Sequence, residues 1–327
     1  MAVINKAIAS SGADYTTLAA FEAAIPADAT DQRIGTVTEN YQCNTGYFAI
    51  NVSNANAMAH TITVAEGVRH NRTIGSGART DGSNVTCDIR TPAFVVQYLE
   101  CNSTSNASPP MRIVPAAVGA VIDGCYVYKP SAANTECIHI DTTCTVKDTT
   151  MVQSAPSKGS CIKCWGDNTK TLTLTNCSML ANNSITGTWD MVTNASQIIL
   201  CDNNKALSDA VDGISRRSFD TATGISGDYN VGSDTTAPGA NSTDNEDPDD
   251  HFVSTTLGAH DASMNASLNK SNFIGGDQLA GEFDVDGDER ISGYVDIGSD
   301  QQSVAATGGV VAKLTSWLRM GMGLGSR

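Results

Sequence analysis

The sequence predicts an all-β chain wound as a parallel β-solenoid, with a short capping helix at the start and a helical or extended tail at the end. Three observations carry this expectation. From about residue 35 to 205 the chain is a series of short strand-like pieces, among them "HTITVAEG", "AFVVQYLEC", "MRIVPAA", "AVIDGCYVY", "ECIHID", "KTLTLTNCSML" and "QIILCDNN", divided by clusters of Gly, Asn, Asp and Ser. No twelve-residue amphipathic helix lies between them, which disfavours a βαβ sheet. Hairpin signals are few, because Asp81-Gly82 and Asp123-Gly124 do not sit midway between two clean alternating runs. A coil in which each strand stacks on its counterpart one turn later is therefore preferred to an antiparallel sandwich.

In chain order, residues 1 to 34 open with the apolar run "AVINKAIA" and continue as "GADYTTLAAFEAAIP", where Leu18, Phe21 and Ile25 recur at helical spacing. Asp14 or Thr16 is expected to cap this helix and Pro26 to stop it. A coil leaves unpaired backbone at each end, so a short amphipathic helix is explicable as a plug over the first turn. Residues 35 to 301 form the coil. Residues 302 to 327 form the tail: in "GGVVAKLTSWLRMGMGLGSR" a Gly pair precedes Val310, Leu314, Trp317 and Leu318 on one helical side. Together with Met320, Met322 and Leu324 these are the candidate partner-binding residues, suited either to a groove on another chain or to folding back over the open coil end.

Composition narrows the function. Lys and Arg total 20 against 35 Asp and Glu, for a net charge of −15, so phosphate backbones and anionic lipid are poor partners. Charged residues are only 17% of the chain, which suits many short strands joined by turns. Asn5 and Lys6 interrupt the apolar start, so no Sec-type leader is expected, and no window is long and apolar enough to span a membrane. The product is expected to be soluble, made in a cytoplasm and released by lysis. Sequons at Asn51, Asn71, Asn84, Asn102 and Asn194 then carry no weight.

Ten cysteines lie between Cys43 and Cys201, and three pairs, Cys101 and Cys125, Cys137 and Cys161, Cys177 and Cys201, share a separation of 24, within the range of solenoid turns. Cys161 and Cys164 form one C-x-x-C, to which Cys137 and His139 would add for zinc. Strand geometry puts Cys137, His139 and Asp141 on one face and Ile138 and Ile140 on the other. Buried thiols packing as small hydrophobes are favoured over zinc and over disulfides. In "EFDVDGDERISGYVDIGSDQ", Asp284, Asp286 and Asp288 alternate as in a calcium loop, but Gly287 stands fourth and Val295 twelfth, where an EF-hand needs Gly sixth and Glu twelfth. These aspartates are candidates for an adventitious divalent cation only, and no cofactor is expected.

Two stretches carry a family resemblance. "SGADYTTLAAFEAAIPAD" resembles the opening "GxDYxTLxAxExA" segment of right-handed parallel β-helix proteins of bacteriophage and environmental bacterial origin. "GDYNVGSDTTAPGANS" and the later "DVDGDERISGYVDIGSDQ" resemble their closing segments, with Ser299 in place of the usual Ala in "DIGAxE/Q" and Asp300-Gln301 after it. The two ends cover under a third of the chain. The resemblance implies a right-handed coil whose last strand and turn hold the acidic stretch, with Ile297 inward and Asp296 at the bend.

Parallel β-helices include polysaccharide lyases and hydrolases, but no cluster of paired carboxylates or calcium ligands beside a base is visible here. Arg216-Arg217 is the only basic doublet and reads as a solvated pair, "ANTE" is not a hydrolase run, and the histidines at 60, 70, 139, 251 and 260 are scattered. At 6%, aromatics are too few to announce sugar-stacking platforms. No catalytic residue is assigned. The resemblance points to a virion structural protein: first a capsid decoration or cement protein bound to the major capsid protein or another virion protein, next a head fibre or tail spike that binds or depolymerises host polysaccharide. A homo-oligomer, the trimer being common among virion solenoids, is implied by the resemblance alone.

Overall fold

A computed structural model describes residues 2–52, 58–72, 75–105, 107–130, 136–153, 159–183, 189–194, 197–210, 216–220, 224–254, 261–264 and 298. It is a parallel β-solenoid of about seven turns. Three sheets run along it, of nine, eight and seven strands, here called A, B and C. Each turn contributes one strand to A, then B, then C, as in Ala120–Asp123, Tyr126–Lys129 and Ile138–Ile140. Every pairing within the three sheets is parallel, as expected for residues 35 to 205. Beyond the last rung of sheet B, Val231–Gly232, the short strands Phe252–Ser254 and Asp261–Met264 pair antiparallel, a departure from the uniform coil expected to residue 301.

Alternation within each strand decides which side chains enter the coil. In sheet A, Ile62, Val96, Ile122, Val146, Leu174 and Cys201 are successive occupants of one buried row. Sheet C supplies Cys87, Met111, Ile138, Ile162, Val192 and Phe219, and sheet B supplies Cys101, Val127, Met151, Met179 and Ala206. All belong to one continuous core. At roughly 1.5–3 kcal/mol for each fully buried large apolar side chain, this stack is the main source of stability. A second apolar layer lies outside sheet B, where Tyr126, Tyr128, Val152, Leu180, Leu207 and Val231 cluster with Phe252.

The corner between sheets A and B is built the same way on six consecutive turns. Tyr98, Gly124, Asp148, Asn176, Asn203 and Tyr229 all have φ between 48° and 61°, a left-handed conformation that turns the chain sharply. The Asp-Gly at 123–124 is thus a bend between two sheets, not a hairpin. The next residue, Leu99, Cys125, Thr149, Cys177, Asn204 or Asn230, is fully buried in the corner.

Turn lengths read along the sheet A row vary from 24 to 34 residues, so equal sequence separations do not imply equal places. Cys137 and Cys161 do stack on successive turns, because Ile138 pairs with Ile162. Cys101 instead pairs with Val127, and Cys201 with Leu174, so the other two separations of 24 are coincidental. All ten cysteines are free and buried, packing as small hydrophobes.

The helix forms at Leu18–Ala23 and seals the first turn, with Leu18, Phe21 and Ile25 joined to the core. Its cap is neither Asp14 nor Thr16 but Thr17, whose extended backbone lets the hydroxyl accept the Ala20 N–H at 3.1 Å. Asp14 is occupied elsewhere, accepting from Ala7 N–H at 2.9 Å and Lys6 Nζ at 3.0 Å. Val310, Leu314, Trp317, Leu318, Met320, Met322 and Leu324, the triplet Asp284, Asp286 and Asp288, and Asp296 and Ile297 all lie outside the described residues. Gly298 is described: its N–H donates to the Asn203 carbonyl at 2.8 Å, at the A–B corner.

Candidate functional site on the outer face of sheet C

Because Ile138 and Ile140 point inward, the residue between them points out. The same holds on neighbouring turns, and the parallel register aligns Asp88, Arg112, His139 and Lys163 in one outward row across four turns. Tyr47, Arg90, Asp141 and Trp165 flank the row. Tyr47 at 46% and Trp165 at 57% exposure are two of the few large apolar side chains turned to solvent.

The row contains two knots. In the first, the Asp88 carboxylate is buried and accepts from Tyr47 Oη at 2.7 Å, Arg90 Nε at 2.8 Å, and Arg112 Nε and Nη2 at 3.0 and 2.6 Å. Burial alone would raise its pKa, but hydrogen bonds from Arg112, Tyr47 and Arg90 outweigh that and hold it below the usual carboxylate range. Two guanidinium groups share this one carboxylate, and Arg90 also donates to Tyr47 Oη at 2.6 Å. The fork is rigid and still has outward N–H groups, since each guanidinium has five donors.

In the second knot, His139 sits between Glu136, which meets Nδ1, and Asp141, 3.1 Å from Nε2. Burial lowers the imidazole pKa, and the two carboxylates reverse this to a net rise. The ring stacks with Trp165 at 5.9 Å and an interplanar angle of 26°, and Lys163 Nζ lies 4.6 Å from the Trp165 ring centre. Lys163 makes no ion pair among the described residues.

Zinc would need Cys137, His139, Cys161 and Cys164 to converge, and the fold separates them. His139 and Asp141 share the outer face, but Cys137 turns into the B–C corner, its thiol donating to the Val152 carbonyl at 3.5 Å. The C-x-x-C is split: Cys161 lies beside Cys137, whereas Cys164 lies beside Cys144 and Cys201. Among the described residues no group of three His, Cys, Asp or Glu is arranged to hold a metal. Of the other histidines, His60 accepts the Arg33 N–H at 3.2 Å, His70 donates to the Gly124 carbonyl at 2.8 Å, and His251 is buried. His260 lies outside the described residues, as do the side chains of Arg216 and Arg217.

The row was not singled out from sequence, because its members are separated by whole turns and only the register aligns them. Among its members, His139 and Asp141 alone stand out in the sequence, as strand neighbours of Cys137. No protein-family model and no curated protein matches the sequence. Among the described residues no helix is long and apolar enough to cross a membrane.

Proposed function

We propose that this chain is a rigid structural β-solenoid displayed on a particle surface, in the manner of a virion fibre or spike, and that it binds polysaccharide through the outer face of sheet C. The observation that carries this reading is the pairing of two exposed aromatic rings, Tyr47 and Trp165, with fixed side-chain donors and acceptors on one flat face. Sugar rings present apolar faces and hydroxyl edges, and a half-exposed aromatic beside ordered polar groups suits both. A rigid parallel coil binds without ordering cost, because its side chains are held by backbone rungs before the ligand arrives.

The arrangement supports adhesion rather than hydrolysis. A glycosidase needs two carboxyl groups facing each other across an open gap, whereas here the His139 ring fills the space between Glu136 and Asp141. Capsid decoration, with the major capsid protein as partner, is the second reading; it rests on the family resemblance and on residues 308–327, and deleting that tail tests it by loss of particle association. The test of the principal reading is a glycan array probed with the whole protein and with Trp165→Ala. Saccharide binding that falls at least tenfold in the variant, with unchanged thermal stability, is the expected result; an array on which both proteins are silent overturns the reading.

A further inference from the structure

We infer that the polysaccharide recognised by the outer face of sheet C is sparsely anionic, carrying about one acidic group per disaccharide, with Arg112 and Lys163 as the two subsites for successive acidic groups. The inference rests on the glycan-binding reading and deepens it. Its starting point is an imbalance. The chain as a whole is strongly acidic, at −15, yet this face carries Arg90, Arg112 and Lys163 outward. Arg90 and Arg112 share the one Asp88 carboxylate, whose side chain has no exposed surface, while the two arginines are 39% and 34% exposed. One positive charge is therefore left over at the Arg90–Arg112 fork. Lys163 adds a second, which makes no ion pair among the described residues and lies over the Trp165 ring.

Between them, Glu136 and Asp141 are occupied by His139 on its two ring nitrogens. Bridged by the His139 ring, that knot is net negative and partly buried. The two surplus cations stand on rungs two turns apart in the same row, on the order of 10 Å at 4.8 Å per rung. That is the length of a disaccharide.

Magnitude selects the class of polymer. Duplex nucleic acid carries one charge per roughly 1.7 Å and would meet two cations with many unpaired phosphates. A polymer with one carboxylate or sulfate per disaccharide places its charges at the spacing of the two subsites. Acidic side chains elsewhere are screened beyond the Debye length of about 8 Å at physiological ionic strength. Trp165, beside Lys163, supplies a stacking face for the sugar that bears the acid, so the same residue pair reads ring and charge together.

The experiment uses the full chain in affinity electrophoresis through three polysaccharides that carry one carboxylate per disaccharide (hyaluronan, unsulfated chondroitin and heparosan), each beside its carboxyl-reduced neutral counterpart. At least one acidic polymer is expected to retard the protein ten times more strongly than its reduced form, with a shallow salt dependence that reflects about two ionic contacts. Lys163→Gln, a solvent-facing change, should lower retardation by the acidic polymer about tenfold and retardation by the neutral one far less. Trp165→Ala should abolish both. Equal retardation by acidic and reduced polymers overturns the charge inference and leaves glycan binding standing. Retardation by none of the six overturns both.

Discussion

Asn230 Oδ1 accepts two hydrogen bonds from Asn204, one from its backbone N–H and one from its side-chain Nδ2, both at 3.1 Å. The two residues occupy the same corner position on successive turns, directly after the left-handed residues Asn203 and Tyr229. Each also donates to a carbonyl of the sheet A row beneath it: Asn204 Nδ2 to Leu174 at 2.9 Å and Asn230 Nδ2 to Cys201 at 2.8 Å. A sharp turn frees backbone groups from the ladder in a place water cannot reach, and the amide supplies the missing partners.

Asn204→Ala removes one donor and one acceptor at a site with no exposed surface. The Leu174 carbonyl, the Cys177 N–H and Asn230 Oδ1 each lose a partner. At 1–3 kcal/mol for each buried polar group left unsatisfied, discounted for relaxation, a cost of about 3 kcal/mol is expected. Denaturant unfolding measures it, and a change under about 0.5 kcal/mol would show that the corner amides are dispensable.

The same corner on earlier turns is held by thiols. Cys177 Sγ lies 3.6 Å from the Val146 carbonyl, and Cys125 Sγ lies 3.5 Å from that of Val96, the places that Asn204 and Asn230 serve with amides. A thiol is a weak donor, so it does the work poorly. Cys177→Asn should therefore keep or raise stability, whereas Cys177→Ala should lower it by about 1 kcal/mol. Thermal unfolding of the two variants beside the wild type decides this; an asparagine variant less stable than the alanine variant refutes the equivalence of the two side chains.

Gly35 is the floor on which the capping helix rests. A Cβ there would lie 2.7 Å from Phe21 Cε1 and 2.9 Å from Ile8 Cδ1, both in the packed core. Gly35→Ala should cost roughly 1–3 kcal/mol by overpacking. Phe21→Leu makes room, so the double variant should lose less than the sum of the two single changes; strict additivity in that cycle would place the strain elsewhere.

How much of this was legible in sequence follows from which features are local. Strand pieces such as "ECIHID" and "KTLTLTNCSML" alternate within themselves, so Ile138, Ile140, Leu172 and Leu174 could be read as inward from their neighbours alone. The capping helix was visible for the same reason, although its cap residue was not, because Asp14 is claimed by Ala7 and Lys6. The outer row of sheet C was invisible. Asp88, Arg112, His139 and Lys163 stand 24, 27 and 24 residues apart, and only the register brings them together. The thiol corners were hidden likewise, since the variable turn length decouples a cysteine's number from its place in the coil.

Acid should unfold the protein through histidines that the structure keeps neutral. His70 is buried with its Nε2–H donated to the Gly124 carbonyl at 2.8 Å, and its pKa is pushed down to about 3 by burial, with Arg72 and Arg69 adding to the effect. His251 is also lowered to about 3, by burial first and Lys205 second, against the opposing pull of the Glu246 carboxylate 3.5 Å from its Nε2. In the unfolded chain both titrate near 6.5, so there the unfolded state binds the protons and the folded state does not. Their stabilising contribution is complete above about pH 6.5 and is lost as pH falls toward 3, each histidine costing on the order of 3 kcal/mol by pH 4. His139 runs the other way: its folded pKa is raised, so its contribution is present at low pH and fades as pH climbs through that raised value. Below pH 6.5 the two buried rings dominate and the net slope is toward instability. Replacing His70 with Gln, which keeps a donor for Gly124 and cannot be charged, should move the acid unfolding midpoint down by a few tenths of a pH unit or more; a midpoint that stays where it was in the wild type, at equal neutral-pH stability, would remove His70 from the account.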